Sequence, residues 1–275
     1  MPVRFHKMHG AGNDFVLLDL REQSLDMDAE KARSLAERRT GVGCDQVLVL
    51  HPPGNPDHVA RFEVWNADGS KAQQCGNGVR CIGLYLHANG EAPGARFVIG
   101  GPVAPIEMEM AGEGQVRVNM GVPDFRPEAV PIALTPAEQA YRLPIDGQEY
   151  TLGAVSMGNP HALIQVPDIE AAPVGALGPK ISTHAAFPEG CNAGFAEILD
   201  RGAIELRVFE RGSGETRACG SGACAAAAIL IRNGSLDTQV LVKQVGGELI
   251  IDWTGDGHSL MMTGPAVHVY EGILL

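Results

Sequence analysis

The 275-residue chain repeats itself once, and this limits its folding more than any other feature. Cys75-Gly-Asn-Gly and Cys219-Gly-Ser-Gly stand 144 residues apart, and the Asn-Gly pairs that follow, Asn89-Gly90 and Asn233-Gly234, keep that offset. Gly12-Asn13 matches Gly158-Asn159 at 146, Gly43-Cys44 matches Gly190-Cys191 at 147, and Gly112-Glu113-Gly114 matches Gly255-Asp256-Gly257 at 143. Ordered matches at a nearly constant shift mark two homologous halves. Each half must build a similar unit around its own core.

Within each half, the cysteine and its glycines lead into an apolar stretch, residues 79–86 and 223–231, that Asn-Gly closes. The pattern predicts one capped helix per half. Residues 15–18, 46–50, 105–110 and 115–120 read as strands in the first half, and 162–166, 203–209, 240–242 and 248–253 in the second. Residues 31–39 read as an amphipathic helix. The expected fold class is α+β: two pseudo-symmetric domains, each a curved, mostly antiparallel sheet around a central helix. Residues 1–123 would form the first domain and 124–265 the second, with a C-terminal strand near 266–275 packing on the first.

Composition removes several functional classes. Glycine reaches 35 residues without a G-x-y period or polar tract, which argues against collagen and disorder. The longest apolar run, 223–231, is far shorter than the roughly 20 residues of a membrane helix. The N-terminal residues mix charge with apolar side chains and lack a signal-peptide core, so a cytoplasmic address is expected. A net charge of −12 and the lack of a basic block argue against nucleic-acid binding. The six cysteines, Cys44, Cys75, Cys81, Cys191, Cys219 and Cys224, read as reduced thiols in such a compartment.

Cys75 and Cys219 each precede a helix and are followed by glycines. The positive end of a helix dipole biases such a thiol toward thiolate. Cys81 and Cys224 fall inside the helices and read as core residues, while Cys44 and Cys191 sit in Gly-rich loops with packing favoured. The cysteine spacings do not fit a zinc site, and neither a phosphate-binding loop nor a full dinucleotide fingerprint occurs, so no cofactor or metal is expected. The first amides of each helix suit a substrate carboxylate. Held between two such helix ends across an interdomain cleft, an α-carbon would have a thiol on each face. That arrangement suits stereoinversion, in which acid and base exchange roles between the two directions.

Gly10-Ala-Gly-Asn-Asp-Phe, Gly41-Val-Gly-Cys-Asp-Gln, Asn66-Ala-Asp-Gly-Ser, Gln74-Cys-Gly-Asn-Gly-Val-Arg-Cys, Gly158-Asn-Pro-His, Glu189-Gly-Cys-Asn and the run from Glu210 to Cys224 together resemble the diaminopimelate epimerase family. The likeness covers the whole chain in order. It implies cofactor-independent interconversion of L,L- and meso-diaminopimelate for lysine and cell-wall precursor synthesis, with Cys75 and Cys219 as base and acid. By similarity, amides at Gly76, Asn77, Gly220 and Ser221 would hold the reacting carboxylate. Asn13, Gln46, Asn66, Asn159, Asn192, Glu210 and Arg211 would bind substrate, and His161 and Glu210 would tune the thiols. The family also suggests a homodimer. Cys44, Cys191 and Trp65 depart from its usual pattern by adding thiols and bulk near the expected cleft.

Taken singly, the polar residues have structural readings too: Asn13 and Asn159 as turn residues, His161 as a surface histidine, and Glu210 with Arg211 as a solvated pair. Two other functions stay open at this stage. One is a related racemase acting on proline or hydroxyproline; the other is a thiol redox protein.

Overall fold

The computed structural model describes residues 2–72, 75–92, 94, 96–135 and 139–275. Gln74, which opens one of the motifs above, lies outside them. The chain divides into two units, one running to Asn119 and taking in Thr263–Leu275, the other formed by Met120–Met262.

The first half contributes β1 (Val3–Gly10), β2 (Asn13–Asp19), α1 (Ala29–Ala36), β3 (Gln46–His51), β4 (Arg61–Asn66), β5 (Lys71–Ala72), α2 (Gly76–Ala88), β6 (Arg96–Gly100), β7 (Pro105–Gly112) and β8 (Gln115–Asn119). The second contributes β9 (Tyr141–Ile145), β10 (Gln148–Ser156), β11 (Pro160–Gln165), α3 (Val174–Ser182), β12 (Asn192–Asp200), β13 (Ala203–Glu210), β14 (Gly214–Thr216), α4 (Gly220–Arg232), β15 (Gln239–Gln244) and β16 (Gly247–Asp252). β17 (Met261–Pro265) and β18 (Val267–Leu274) end the chain.

Pairing in the first unit runs β18–β1–β2–β3–β4–β6–β7–β8, with β5 also on β4. Of these described pairs, β2–β3 and β4–β6 are parallel and the others antiparallel. The second unit runs β9–β10–β11–β12–β13–β15–β16, with β14 also on β13. Its parallel pairs, β11–β12 and β13–β15, fall at the equivalent places. The internal repeat is thus a repeat of topology.

One helix packs across each sheet. α2 packs against β1, β2, β7, β8 and β18, strands from both ends of the ladder, and α4 packs against β10, β11, β12, β13, β15 and β16. Central strands are covered on both faces, which favours continuous apolar runs over alternation. Val16, Leu18, Val47 and Val49 join Ala32, Leu35 and Ala36 of α1 in one cluster, while Phe15 and Leu48 meet α2 at Gly78. Every residue of α4 from Gly222 to Leu230 is buried, as expected of a helix that is apolar all round.

Helix ends follow local chemistry. Cys75 and Cys219 are the N-caps of α2 and α4, and Asn89 and Asn233 their C-caps. Gly90 and Gly234 adopt the positive φ that ends such helices. α1 is shorter than the sequence pattern suggests. It stops at Glu37, where the backbone turns extended and Gly41 and Gly43 bond back to Glu37 and Leu35. α3 is absent from the sequence reading because Gly175, Gly178 and Pro179 oppose a helix. Burial of Val174, Leu177 and Ile181 stabilises it, and Gly178 lets Phe209 approach: a Cβ there would lie 2.6 Å from Phe209 Cβ. Among the described residues, no helix is long and apolar enough to cross a membrane.

Candidate active site

In the first unit a two-residue turn at Ala11 and Gly12, both at positive φ, brings Asn13 opposite Gly10 at the start of β2. Parallel pairing sets Phe15 against Gln46, and antiparallel pairing sets Gln46 against Asn66. Three polar side chains thereby collect where α2 begins. Cys75 Sγ accepts from the Gly78 amide at 3.3 Å, lies 2.9 Å from Gln46 Oε1 and 3.9 Å from Asn13 Oδ1. Asn77 Nδ2 donates to Asn13 Oδ1, and Gln46 Nε2 donates to Asn66 Oδ1. Gly76 and Asn77 form the first turn of α2, where backbone amides point out of the helix end. Asn13, Gln46, Asn66, Cys75, Gly76 and Asn77 therefore form one cluster.

Charged residues that sequence reasoning did not assign support this cluster. Arg80, fully buried, donates to Asn77 Oδ1 at 2.9 Å and to the carbonyl of Pro265 at 3.2 Å. The signal was available: an arginine inside an otherwise apolar helix needs buried acceptors. On the other side, Asn13 Nδ2 donates to Asp45 Oδ2 at 2.9 Å, and Arg38 bridges Asp45 and Asp14. Lys7 adds bonds to Asp14 and to the Gly43 carbonyl. Burial works to raise the Asp14 carboxyl, but bonds from Arg38 and Lys7 outweigh it and hold it well below the usual carboxylate range.

The second unit repeats the plan with different partners. Cys219 Sγ accepts from the Gly222 amide at 3.3 Å and lies 3.7 Å from Ser221 Oγ. Its own amide donates to Gln244 Oε1 at 2.8 Å. Gly220 and Ser221 open α4, as Gly76 and Asn77 open α2. His161 stands opposite Asn192 in the parallel β11–β12 pair and shares a 3.0 Å hydrogen bond with Asn159 Oδ1. Asn192 Oδ1 accepts from the Arg211 amide at 2.9 Å. The neighbours Glu210 and Arg211 turn to different partners: Glu210 accepts from Thr216 Oγ1, and Arg211 donates to the Glu189 carbonyl. His161 is only 3% exposed, so it is not a surface histidine.

Electrostatics correct one expectation. Burial, followed by the Glu210 carboxylate, pushes the Cys219 thiol well above its usual range, outweighing the bonds from Ser221 and Gly222. This opposes the thiolate bias expected of the helix end, because the sulfur is almost removed from water. Cys44 and Cys191 are also buried, which pushes them up to about 11 and about 12. They are packing residues. Cys81 and Cys224 are likewise fully buried.

Burial, with a smaller contribution from Arg211, lowers His161 from 6.5 to about 3. The unfolded chain would protonate this histidine below pH 6.5, whereas the folded protein resists until about 3. Its contribution to stability is therefore complete above pH 6.5 and is lost as the pH falls toward 3. Denaturant unfolding should show a shallower acid loss for His161→Gln than for the parent between pH 6.5 and about 4. Equal slopes would contradict this burial.

Two solved structures share this fold. One is a hydroxyproline epimerase from Agrobacterium vitis with bound trans-4-hydroxy-L-proline, at TM-score 0.72 and 15% identity, covering 99% of this chain and 92% of that one. The other is a PhzF-family phenazine biosynthesis protein from Bacillus anthracis, at TM-score 0.70 and 16% identity, covering 100% and 99%. The fold class is thus one shared by epimerases and PhzF proteins, here with a cysteine capping the central helix of each unit. The chain belongs to the diaminopimelate epimerase family, whose model matches residues 5–126 and 153–269. It is 48% identical over 271 residues to the diaminopimelate epimerase of Xanthomonas euvesicatoria pv. vesicatoria, covering 98% of this chain and 95% of that relative.

Proposed function

We propose that this protein interconverts L,L- and meso-diaminopimelate without a cofactor, using Cys75 and Cys219 as its two proton-transfer groups. The observation that carries this reading is the matched pair of thiol caps: each sulfur heads a central helix and accepts from the amide three residues on. In one direction a thiolate removes the α-hydrogen as a proton. The C–H electron pair passes into the substrate's carboxylate system, and the second cysteine delivers its proton to the opposite face. The reverse reaction exchanges the roles. Dividing the two transfers between two groups lets each face of the α-carbon have its own proton carrier.

The weakly acidic α-hydrogen requires stabilisation of the developing charge. Amides of Gly76, Asn77, Gly220 and Ser221 supply it at the carboxylate without reorganising. Asn13, Gln46, Asn66, Asn159 and Asn192 hold the substrate's polar groups, and Arg211 takes the distal carboxylate. Glu210 favours the protonated form of Cys219, which suits that thiol to deliver a proton, while neutral His161 orients Asn159. Family membership favours diaminopimelate over the proline-type and redox readings.

Lysine and cell-wall precursor synthesis is the corresponding biological role, in the cytoplasm. The acidic net charge of −12 supports a protein that does not bind nucleic acid. A homodimer is supported by Val267, Val269, Tyr270 and Ile273, exposed on β18, which a second copy would cover. Sedimentation tests this point, with a persistent monomer contradicting it. For the reaction, reduced protein with chelator and no added cofactor should convert either isomer to the same L,L/meso mixture. Activity that required added pyridoxal phosphate or a metal would overturn the reading.

A further inference from the structure

We propose that Asp68 and Ser70 are positioning residues that act through Asn66 to turn the carbonyl end of Gln46 toward Cys75, presenting that sulfur with an acceptor for its S–H. The inference rests on the reading of Cys75 as a proton-transfer group. Its starting point is the Asn66-Ala-Asp-Gly-Ser motif, in which the acid and the serine have no part in substrate binding as assigned above.

The hydrogen-bond directions follow from chemistry alone. An ionised carboxylate only accepts, so the 2.6 Å contact between Ser70 Oγ and Asp68 Oδ1 is a donation from serine. With its one proton committed, Ser70 Oγ accepts from Asn66 Nδ2 at 2.9 Å. Asn66 then presents Oδ1 to Gln46 Nε2 at 2.8 Å. Gln46 must show its remaining end, Oε1, to Cys75 Sγ at 2.9 Å, where it accepts from S–H. Asn13 behaves alike: Asp45 claims its Nδ2 and leaves Oδ1 toward Cys75.

The Asp68 carboxylate also accepts from the Ser70 amide at 2.8 Å, but it is not the turn's only closure. Backbone bonds from Asn66 N to Ser70 O and from Gly69 N to Asn66 O define the turn, and Arg33 holds the Asp68 carbonyl, not its side chain. The repeat also supplies a contrast. At the 144-residue offset of the two cysteines, Asp68 and Ser70 fall on Gly212 and Gly214, so the relay serves one thiol only. Cys219 is therefore an internal control in the same molecule.

The test is the rate at which iodoacetamide alkylates Cys75 and Cys219 in reduced, substrate-free protein at neutral pH, resolved by peptide mass spectrometry. Without the relay, Asn66 can turn over and Gln46 can offer Nε2, a donor that favours thiolate. Asp68→Ala and Ser70→Ala should each speed Cys75 alkylation by about fivefold and leave Cys219 unchanged. Asp68→Asn, which keeps an acceptor, should stay near the parent rate. An unchanged Cys75 rate in both alanine variants, or equal acceleration of both cysteines, would overturn the proposal. The readout needs no turnover. If Cys75→Ala kept epimerase activity while the alkylation pattern appeared as expected, the relay would stand and the catalytic reading of Cys75 would fall.

Discussion

Cys75→Ala and Cys219→Ala should each slow epimerisation by about 10³-fold or more, because in the proposed mechanism each removes the group that transfers a proton on one face of the α-carbon. Structural loss has to be separated from chemical loss. Each sulfur also caps a helix, and removing a cap costs about 1 kcal/mol, far less than such a rate effect represents. Serine separates the two contributions. Its hydroxyl restores the cap to the Gly78 or Gly222 amide but is much too weak an acid to replace a thiol. Cys75→Ser and Cys219→Ser should therefore unfold like the parent and remain nearly inactive. Near-normal epimerisation by either serine variant would show that its cysteine serves only as a cap.

Arg211→Met should weaken diaminopimelate binding strongly with little effect on the fold. Arg211 is exposed, its backbone amide is anchored by Asn192 Oδ1, and its guanidinium donates to the Glu189 carbonyl. That donation fixes the side chain through a neutral partner and leaves its positive charge for a ligand. Leaving the distal carboxylate without this charged donor should cost about 2 to 5 kcal/mol of binding, a KM increase of about 30-fold or more. Methionine keeps the aliphatic contact beside Gly190, so Tm should stay within about 2 °C. Lost thermal stability with KM unchanged would make Arg211 structural instead.

The fold was legible where chemistry is local and repeated. Cysteine before glycine at one helix end and Asn-Gly at the other marked α2 and α4, and the offset between halves implied a duplicated topology. α3 was illegible because Gly175, Gly178 and Pro179 argue locally against a helix that exists through the burial of Val174, Leu177 and Ile181. In the site, residues contributed directly by motifs were readable, whereas their supports were not. Asp45 and Arg38 gain meaning only when parallel pairing of β2 and β3 brings Asp14 and Asp45 together. The helix position of Cys219 is visible in sequence, whereas its burial and the nearness of Glu210, which push its thiol up, depend on the folded sheet.

The two-thiol claim is tested most directly by the fate of the α-hydrogen in D₂O. Reduced protein is given L,L-diaminopimelate, and the deuterium content of both isomers is followed from the earliest turnovers. Separate groups on opposite faces predict that the first meso product carries deuterium at the inverted carbon while the remaining L,L pool still holds protium. First-formed meso product that retains the original hydrogen, or deuterium entering the L,L pool before product appears, would indicate one base serving both faces and would contradict the account.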